Sequence, residues 1–531
     1  MNSINLVKNQ SQSWFYELIN ESEIWVKGKV FHNNVLVEGK DFLNLFISQI
    51  FGPLDTKEIS KILSDINGNF SVVIRKAKHV VAIVDRARSF PLFYCLRHDD
   101  FFLSDDAHLI KEQSGVSVFD PVSADEFRLC GYVTGNCTLY ADLKQIPAGQ
   151  LLFAIDKEIQ LLSYYSYNYY ESMVRPKSEL TLELDDILNR SFQRLITWVK
   201  GKTIAIPLSG GYDSRFIALM LKKLGYNNIV TFTYGRKGNE ESEISRRIAD
   251  KLGLRWEFVE YTNDLWYKWF HSDEKQKYYK FSDGLSSLPI IAGLPAISQL
   301  KDNGCIPKDS VIVSGTTVAL AMKMPFVKTK EDLVNWIIRY HYYLWPWESS
   351  PYKIREQIIN KINVLISNFI TRSPNWCANA FESWFLTERQ VKFIVNFNRE
   401  YEFYGFNWYM PLWDLELYEF WKQLPLEHRF DKMLFKTYAD KSFEKVTKTQ
   451  VKYAWRNPIK NKFLLKIFRY AKIDYLYRAI VKLFNKYGAY ENEYMAAFGI
   501  MQKKQFKKIY SGKEDKYSFY VLEYLGKARY R

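Results

Sequence analysis

Thr203-Ile204-Ala205-Ile206-Pro207-Leu208 runs into Ser209-Gly210-Gly211-Tyr212-Asp213-Ser214, and Arg215-Phe216-Ile217-Ala218-Leu219-Met220-Leu221-Lys222-Lys223-Leu224-Gly225 follows. The first six residues are apolar and β-prone, and the last segment has helical periodicity with a glycine stop. Between them a glycine pair is bracketed by serines, so the stretch reads as strand, tight loop and helix N-terminus. Glycines let backbone approach a ligand, the serine hydroxyls donate, and the first helical turn offers unpaired N–H groups with partial positive charge. Such a unit cradles phosphate. Asp213 would repel a bare phosphate, so its position implies a divalent cation between the two.

Working downstream, Asn228–Gly235 reads as a second strand, Glu240–Leu252 as a helix ended by Gly253, and Trp256–Tyr261 as a third strand. Upstream, Thr181–Val199 carries Leu184, Ile187, Leu188, Phe192 and Leu195 at helical spacing after a linker near Met173–Ser178. Strands alternating with helices at this spacing predict a doubly wound parallel sheet with ligands at the carboxyl ends of its strands. Val311–Gly315 is a further buried strand ending in a turn.

From about Glu23 to Leu162 the pattern changes to short strands. Ile24–Val30, Phe70–Arg75, His79–Val84 and Leu92–Leu96 are β-branched or aromatic, and helices are expected at about Phe42–Phe51 and Thr56–Leu63. This alternation predicts stacked antiparallel sheets.

Composition limits the remaining choices. Over 531 residues the formal net charge is +15, with much of the excess after residue 430. The basic balance suits phosphate, an anionic membrane face or an acidic glycan. Five cysteines (Cys95, Cys130, Cys137, Cys305, Cys377) are widely spaced without CxxC or His partners, which argues for buried thiols in a reducing cytoplasm and against a disulfide frame or zinc site. The first residues lack the apolar core of a signal peptide, and no run is long enough to span a bilayer.

The loop resembles the pyrophosphate loop Ser-Gly-Gly-x-Asp-Ser of ATP pyrophosphatases. The N-terminal third resembles the glutaminase domain of class II amidotransferases through Asn67-Gly68-Asn69-Phe70, Asp85-Arg86-Ala87-Arg88-Ser89-Phe90-Pro91-Leu92-Phe93-Tyr94, Phe102-Leu103-Ser104-Asp105-Asp106, Thr138-Leu139-Tyr140 and Ile146-Pro147-Ala148-Gly149. The two together resemble the asparagine synthetase family, over roughly residues 20–455, and within it the proteins encoded with surface-polysaccharide pathways, where Pro411-Leu412-Trp413-Asp414 recurs. The resemblance implies an α/β chain in three parts. Residues 1–172 would be an α+β, Ntn-type antiparallel sandwich and 173–456 a doubly wound ATP-pyrophosphatase domain. The helical C-terminal region would end in a basic amphipathic tail at 457–531.

By the same resemblance the chain would be an ATP-dependent, AMP-forming amide ligase. Ser209, Gly210, Gly211 and Ser214 would hold pyrophosphate, Asp213 Mg2+, and Thr233, Tyr234 and Gly235 the nucleoside. Ser314 and Gly315 would also bind ATP or its pyrophosphate, and Phe281–Pro289 would line the substrate. Lys452, or alternatively Lys448, would be the catalytic lysine. Three departures stand out. Thr316 and Ala319 occupy positions where the family carries carboxylates, one of them a magnesium ligand, and Asn407 stands where a glutamate is expected. The glutaminase nucleophile, an N-terminal cysteine, has no counterpart beside Asn2 and Ser3, so that domain is expected to be inactive unless the start lies elsewhere.

The partners expected are a small-molecule or glycan carboxylate and ammonia or another amine. Two alternatives stay open: an intramolecular amide synthetase of the β-lactam synthetase or lasso-cyclase type, and a non-catalytic nucleotide-binding scaffold. Basic and apolar residues alternate at helical spacing across 457–490, as in a pair of packed helices or a helix lying on an anionic membrane. No nucleic-acid module accompanies the charge, and the expected location is cytoplasmic, with peripheral contact at the inner membrane face.

Overall fold

A computed structural model describes residues 3–6, 14–52, 54–320, 327–370, 373–447, 488–511 and 514–526. The basic stretch 457–487, Lys448 and Lys452 therefore lie outside the described residues.

The N-terminal part is built in four layers. Its larger sheet runs in the order Glu158–Ser163, Gln150–Ile155, His79–Val84, Ile66–Lys76, Ser22–His32, Phe15–Ile19, with Val35–Glu38 also paired to Ser22–His32. Every pair is antiparallel, and Ser22–His32 lies along Ile66–Lys76 with Ile24 opposite Ile74 and Val26 opposite Val72. Strand side chains alternate between faces. Ile24, Val26, Val72, Ile74 and Val81 turn to Phe46 and to helices carrying Phe42, Ile59 and Leu63. Trp25, Val73, Val80, Ala82 and Val84 turn the other way, to Leu92 and to Tyr94, Phe101 and Leu103 of the second sheet. That sheet runs Ser3–Leu6, Asp100–Ser104, Phe93–Arg97, Lys144–Gln145, and its outer face packs Phe93, Cys95 and Phe102 on Ala107 and Ile110.

Two expectations change here. The stacked sheets are antiparallel except for Ser3–Leu6, which pairs parallel with Asp100–Ser104. The single helix expected at Phe42–Phe51 is two short ones, Lys40–Asn44 and Ile47–Phe51. The backbone turns between them at Phe46 (φ −107°, ψ 10°), which sets its ring 6.0 Å from Phe42 in the layer under the sheet.

The second part holds a five-stranded sheet in the order Arg255–Glu260, Ile229–Gly235, Ile204–Pro207, Val311–Val313, Asn407–Tyr409, every pair parallel. In chain order this is 3-2-1-4-5, so the direction of winding reverses between Ile204–Pro207 and Val311–Val313. Ligands of such sheets bind in the crevice at that reversal, beyond the carboxyl ends of the strands. Ile204, Ala205 and Ile206 are fully buried, as are Ile217, Met220 and Leu221 of the following helix, Tyr212–Lys223.

The two parts share a core, because Ala87, Phe127 and Tyr167 join the cluster that contains Ile204–Ile206. Polar contacts reinforce the junction. Asp414 receives Arg194 through Nε and Nη2 at 2.7 Å each and Asn67 Nδ2 at 2.9 Å, tying both parts to one carboxylate. Residues 281–289, expected to line a substrate, are also used at this junction. Val133 N–H donates to Ser286 O, Leu139 N–H to Leu285 O and Leu288 N–H to Gly131 O, while Asp283 pairs with His108 at 2.8 Å.

An interdomain cavity of about 840 Å³ opens beside the junction, lined by Trp14, Lys27, Glu402, Asn407, Trp408 and Tyr409. Burial pushes the Lys27 ammonium below its ordinary range, with Glu402 3.2 Å away. Asn407 sits at the amino end of its strand, opposite Val311. It is therefore at the opposite end of its strand from the carboxyl-end crevice, on the wall of the interdomain cavity.

The described C-terminal residues are part of this domain. Trp266 Nε1 donates to Met495 O, Tyr520 OH to Ala497 O, and Lys275 pairs with Glu523 at 2.9 Å. Among the described residues no helix is long and apolar enough to cross a membrane. The cysteines are all free thiols, with Cys95, Cys130 and Cys377 buried.

Candidate functional site

At the winding reversal a cleft of about 490 Å³ is bounded by the turn after Ile204–Pro207 on one side and the turn after Val311–Val313 on the other. Ser209, Gly211, Asp213 and Ser214 form the first wall, Ser314, Gly315, Thr316, Thr317 and Ala319 the second. Helix Tyr212–Lys223 points its N-terminus into the cleft, with Gly211 as its cap (φ −76°, ψ 170°). No side chain caps it, so the N–H groups of its first turn face the cleft with the helix dipole behind them.

The loop is braced internally. Ser214 Oγ accepts from Ser209 N–H at 3.0 Å and lies 3.0 Å from Ser209 Oγ, which itself accepts from Gly211 N–H at 3.2 Å. A side chain at Gly315 would put its Cβ 3.2 Å from Ser214 N and 3.4 Å from Asp213 Cβ, so the two walls meet at near van der Waals distance. Glycine at 315 is what permits this approach.

The remaining wall is aromatic and amide: Tyr234, Tyr340, Phe385, Gln390, Ile394, Phe397 and Tyr401. Tyr234 stacks on Tyr261 at 5.3 Å, and burial pushes its phenol well above the usual range, so it stays neutral. Behind Tyr234 and Tyr401 lies Glu400, fully buried, with its carboxyl also pushed well above the usual carboxylate range by burial.

Of the residues singled out from sequence, Ser209, Gly211, Asp213, Ser214, Tyr234, Ser314 and Gly315 line one cleft. Gly210 backs the loop against Ile244. Thr233 and Gly235 do not line it. Thr233 turns its hydroxyl into the fold, donating to Leu208 O at 2.6 Å, with Ser245 Oγ at 2.7 Å and Trp256 Nε1 donating to it. Gly235 (φ 139°) lies under the C-terminal segment, where a Cβ would come within 2.9 Å of Tyr494 O. Lys452 and Lys448 fall outside the described residues.

The lysine that the cleft does present is Lys432, which sequence reading missed. Its Nζ donates to both carboxylate oxygens of Asp213, at 3.0 and 2.8 Å. The two residues are 219 positions apart, and Phe430-Asp431-Lys432 carries no local motif, so no signal in the sequence marked the pair.

A magnesium ion at Asp213, as the resemblance implies, is poorly matched by these donors. Asp213 is the one carboxylate lining the described cleft, the facing positions are Thr316 and Ala319, and both oxygens of Asp213 are engaged by an ammonium. Among the described residues no group of three or more His, Cys, Asp or Glu side chains could hold a metal.

A strand, a glycine loop and a helix N-terminus at the reversal of a parallel sheet define an anion-binding α/β domain of the nucleotide-handling kind. Residues 183–270 match the family model described as Asparagine synthase. Over 196 residues the chain is 25% identical to carboxyethyl-arginine beta-lactam-synthase of Streptomyces clavuligerus, a match over 36% of this chain. The chain spans about a third (35%) of the length of that relative. Among solved structures, NH3-dependent NAD synthetase of Campylobacter jejuni aligns with 40% of this chain and 96% of its own at 14% identity and a TM-score of 0.21. Glutamine phosphoribosylpyrophosphate amidotransferase of B. subtilis aligns with 46% of this chain and 72% of its own at 10% identity and a TM-score of 0.21.

Proposed function

We propose that this chain is an ATP-dependent amide-forming ligase of the asparagine synthetase type. The observation that carries the reading is the cleft itself. The Ser209–Ser214 loop and the Ser314–Thr317 turn flank the one winding reversal of the parallel sheet, with a helix N-terminus aimed between them.

In this reaction a substrate carboxylate oxygen bonds to the α-phosphorus of ATP and the α–β phosphoanhydride bond breaks, releasing pyrophosphate. An amine then bonds to the acyl carbon, AMP leaves with its phosphate oxygen, and the amine sheds a proton. The chain's part is positioning and charge stabilisation. Ser209 and Ser214 hydroxyls and the N–H groups of the first helical turn receive the leaving pyrophosphate. Tyr234, Phe397 and Tyr401 supply apolar surface for the nucleoside and exclude water. Lys452 remains the candidate for neutralising the negative charge that develops in the transition state. The amine is ammonia or a small-molecule amine, and the carboxylate belongs to a small molecule or glycan.

The match to a β-lactam synthase favours a second reading, in which acid and amine belong to one substrate. The two are separated by whether amide formation needs an added amine.

Thermal unfolding with and without ATP tests the shared core of both readings. A nucleotide at about 100 times its dissociation constant adds roughly 2.7 kcal/mol of stability. The expected result is a clear upward shift that is lost in Ser214→Trp, where an indole fills the loop. Absence of any shift in the wild type would remove the ligase reading and the nucleotide-binding scaffold with it.

A further inference from the structure

Lys432 is held in place from both sides. Before it, Arg429 is fully buried and donates to Leu424 O at 2.9 Å and Asn379 Oδ1 at 2.6 Å, with Glu171 and Glu382 as ion-pair partners. After it, Phe435 of the helix Met433–Thr447 packs 5.1 Å from Phe216 of the helix that follows the phosphate-type loop. Between these anchors Asp431 and Lys432 both adopt left-handed backbone, φ 49° and 56°. Two consecutive non-glycine residues in that region are strained, and such strain persists only where surrounding packing enforces it. The strained turn delivers an ammonium, 8% exposed as a residue, onto both oxygens of Asp213. Facing it are the hydroxyls of Ser314, Thr316 and Thr317, where a cation site would need carboxylates.

We propose that the cleft takes nucleotide phosphate without a protein-held divalent cation, and that Lys432, fixed on Asp213, supplies the positive charge such an ion would bring. This rests on the nucleotide-site reading above. A lysine is a compact point charge with three donors, so it can keep one contact to Asp213 while donating another to a phosphate oxygen. A carboxylate already committed to an ammonium has little charge left for magnesium. Whatever magnesium accompanies the nucleotide is then held by phosphate and water alone.

Calorimetric titration of the full chain with ATP, in EDTA and in excess magnesium chloride, tests this. The expected result is binding in both, with dissociation constants within about threefold of each other. Lys432→Met is expected to weaken binding in EDTA by about tenfold or more, and Lys432→Arg to restore most of it. Circular dichroism and the melting temperature of each variant check that it is folded. The double variant Asp213→Asn with Lys432→Met, which leaves no unpaired charge, repeats the loss if Lys432→Met alone is unstable. Binding by the wild type only when magnesium is present would overturn the proposal while leaving the nucleotide reading intact. Binding in neither condition would overturn both. Equal affinity of Lys432→Met and wild type in EDTA would also overturn the proposal.

Discussion

Asp414 has a fully buried carboxylate between Arg194 and Asn67 and also caps the helix Leu415–Gln423. Removing Asp414 leaves Arg194 with Glu416 at 2.7 Å as its remaining ion-pair partner and deprives Asn67 and the helix of their acceptor, so Asp414→Ala is expected to cost about 3 kcal/mol in urea unfolding. A loss below about 1 kcal/mol would show the pair to be dispensable. Gly315→Ala is expected to behave differently. Its new methyl meets backbone at Ser214 N, which cannot move without shifting the loop. The effect should be a modest loss of stability, about 1 kcal/mol, with ATP affinity falling about tenfold; unchanged affinity would refute the close approach as functional. At this scale the sequence was informative wherever function is written locally. Ser209, Gly211, Asp213 and Ser214 are consecutive or nearly so, and their chemistry follows from spacing. Lys432 and the aromatic wall of Tyr340, Phe385 and Tyr401 are brought in by tertiary packing, which no local pattern records.

Elements were legible to different degrees for the same reason. Glu240–Leu252 and His79–Val84 begin and end where periodicity, cap residues and glycine put them. The helix at Lys177–Val199 starts four residues before the first expected position, after Pro176, because Leu180 is also buried in the core. The break at Phe46 was not legible, since helical spacing continues through it and only the sheet beneath decides where its ring goes. The short helix Arg399–Phe403 makes a pH prediction. Glu400 holds a proton in the fold, because burial raises its carboxyl well above the ordinary 4.5, whereas the unfolded chain releases it. The folded state thus binds more protons, and stability falls as pH rises above the unfolded value. Asp85, pushed up to about 6 by burial, contributes with the same sign. Glu400→Gln should flatten the decline in urea midpoint as pH rises above the unfolded carboxyl value, relative to wild type. Parallel profiles would mean that Glu400 is ionised in the fold.

At the scale of the whole molecule, the expected α+β sandwich and doubly wound domain are present, and the division between them is softer than sequence suggests. Just before the expected linker, Tyr167 and Tyr169 pack their rings near Tyr418 at 5.9 and 6.4 Å, and the two parts share one core. The C-terminal residues are equally integral, with Tyr524 OH on Asp283 and its ring 5.0 Å from Phe127. A chain ending at residue 487 would expose Trp266, Phe270 and Phe127, so it is expected to lose most of its soluble yield and to melt well below the full chain. Equal melting temperatures would make the segment an accessory. Arg236 N–H donates to Tyr494 O at 2.7 Å and its guanidinium to Glu493 O and Tyr490 O at 2.9 Å each. The turn that follows Ile229–Gly235 at the carboxyl end of the parallel sheet is thus covered by chain made some 250 positions later (257 for Arg236 to Glu493). On the ribosome, where domains otherwise fold as they emerge, this one must wait with an open flank until residues 490–524 are translated. Its vulnerable interval is therefore the whole time taken to synthesise its second half.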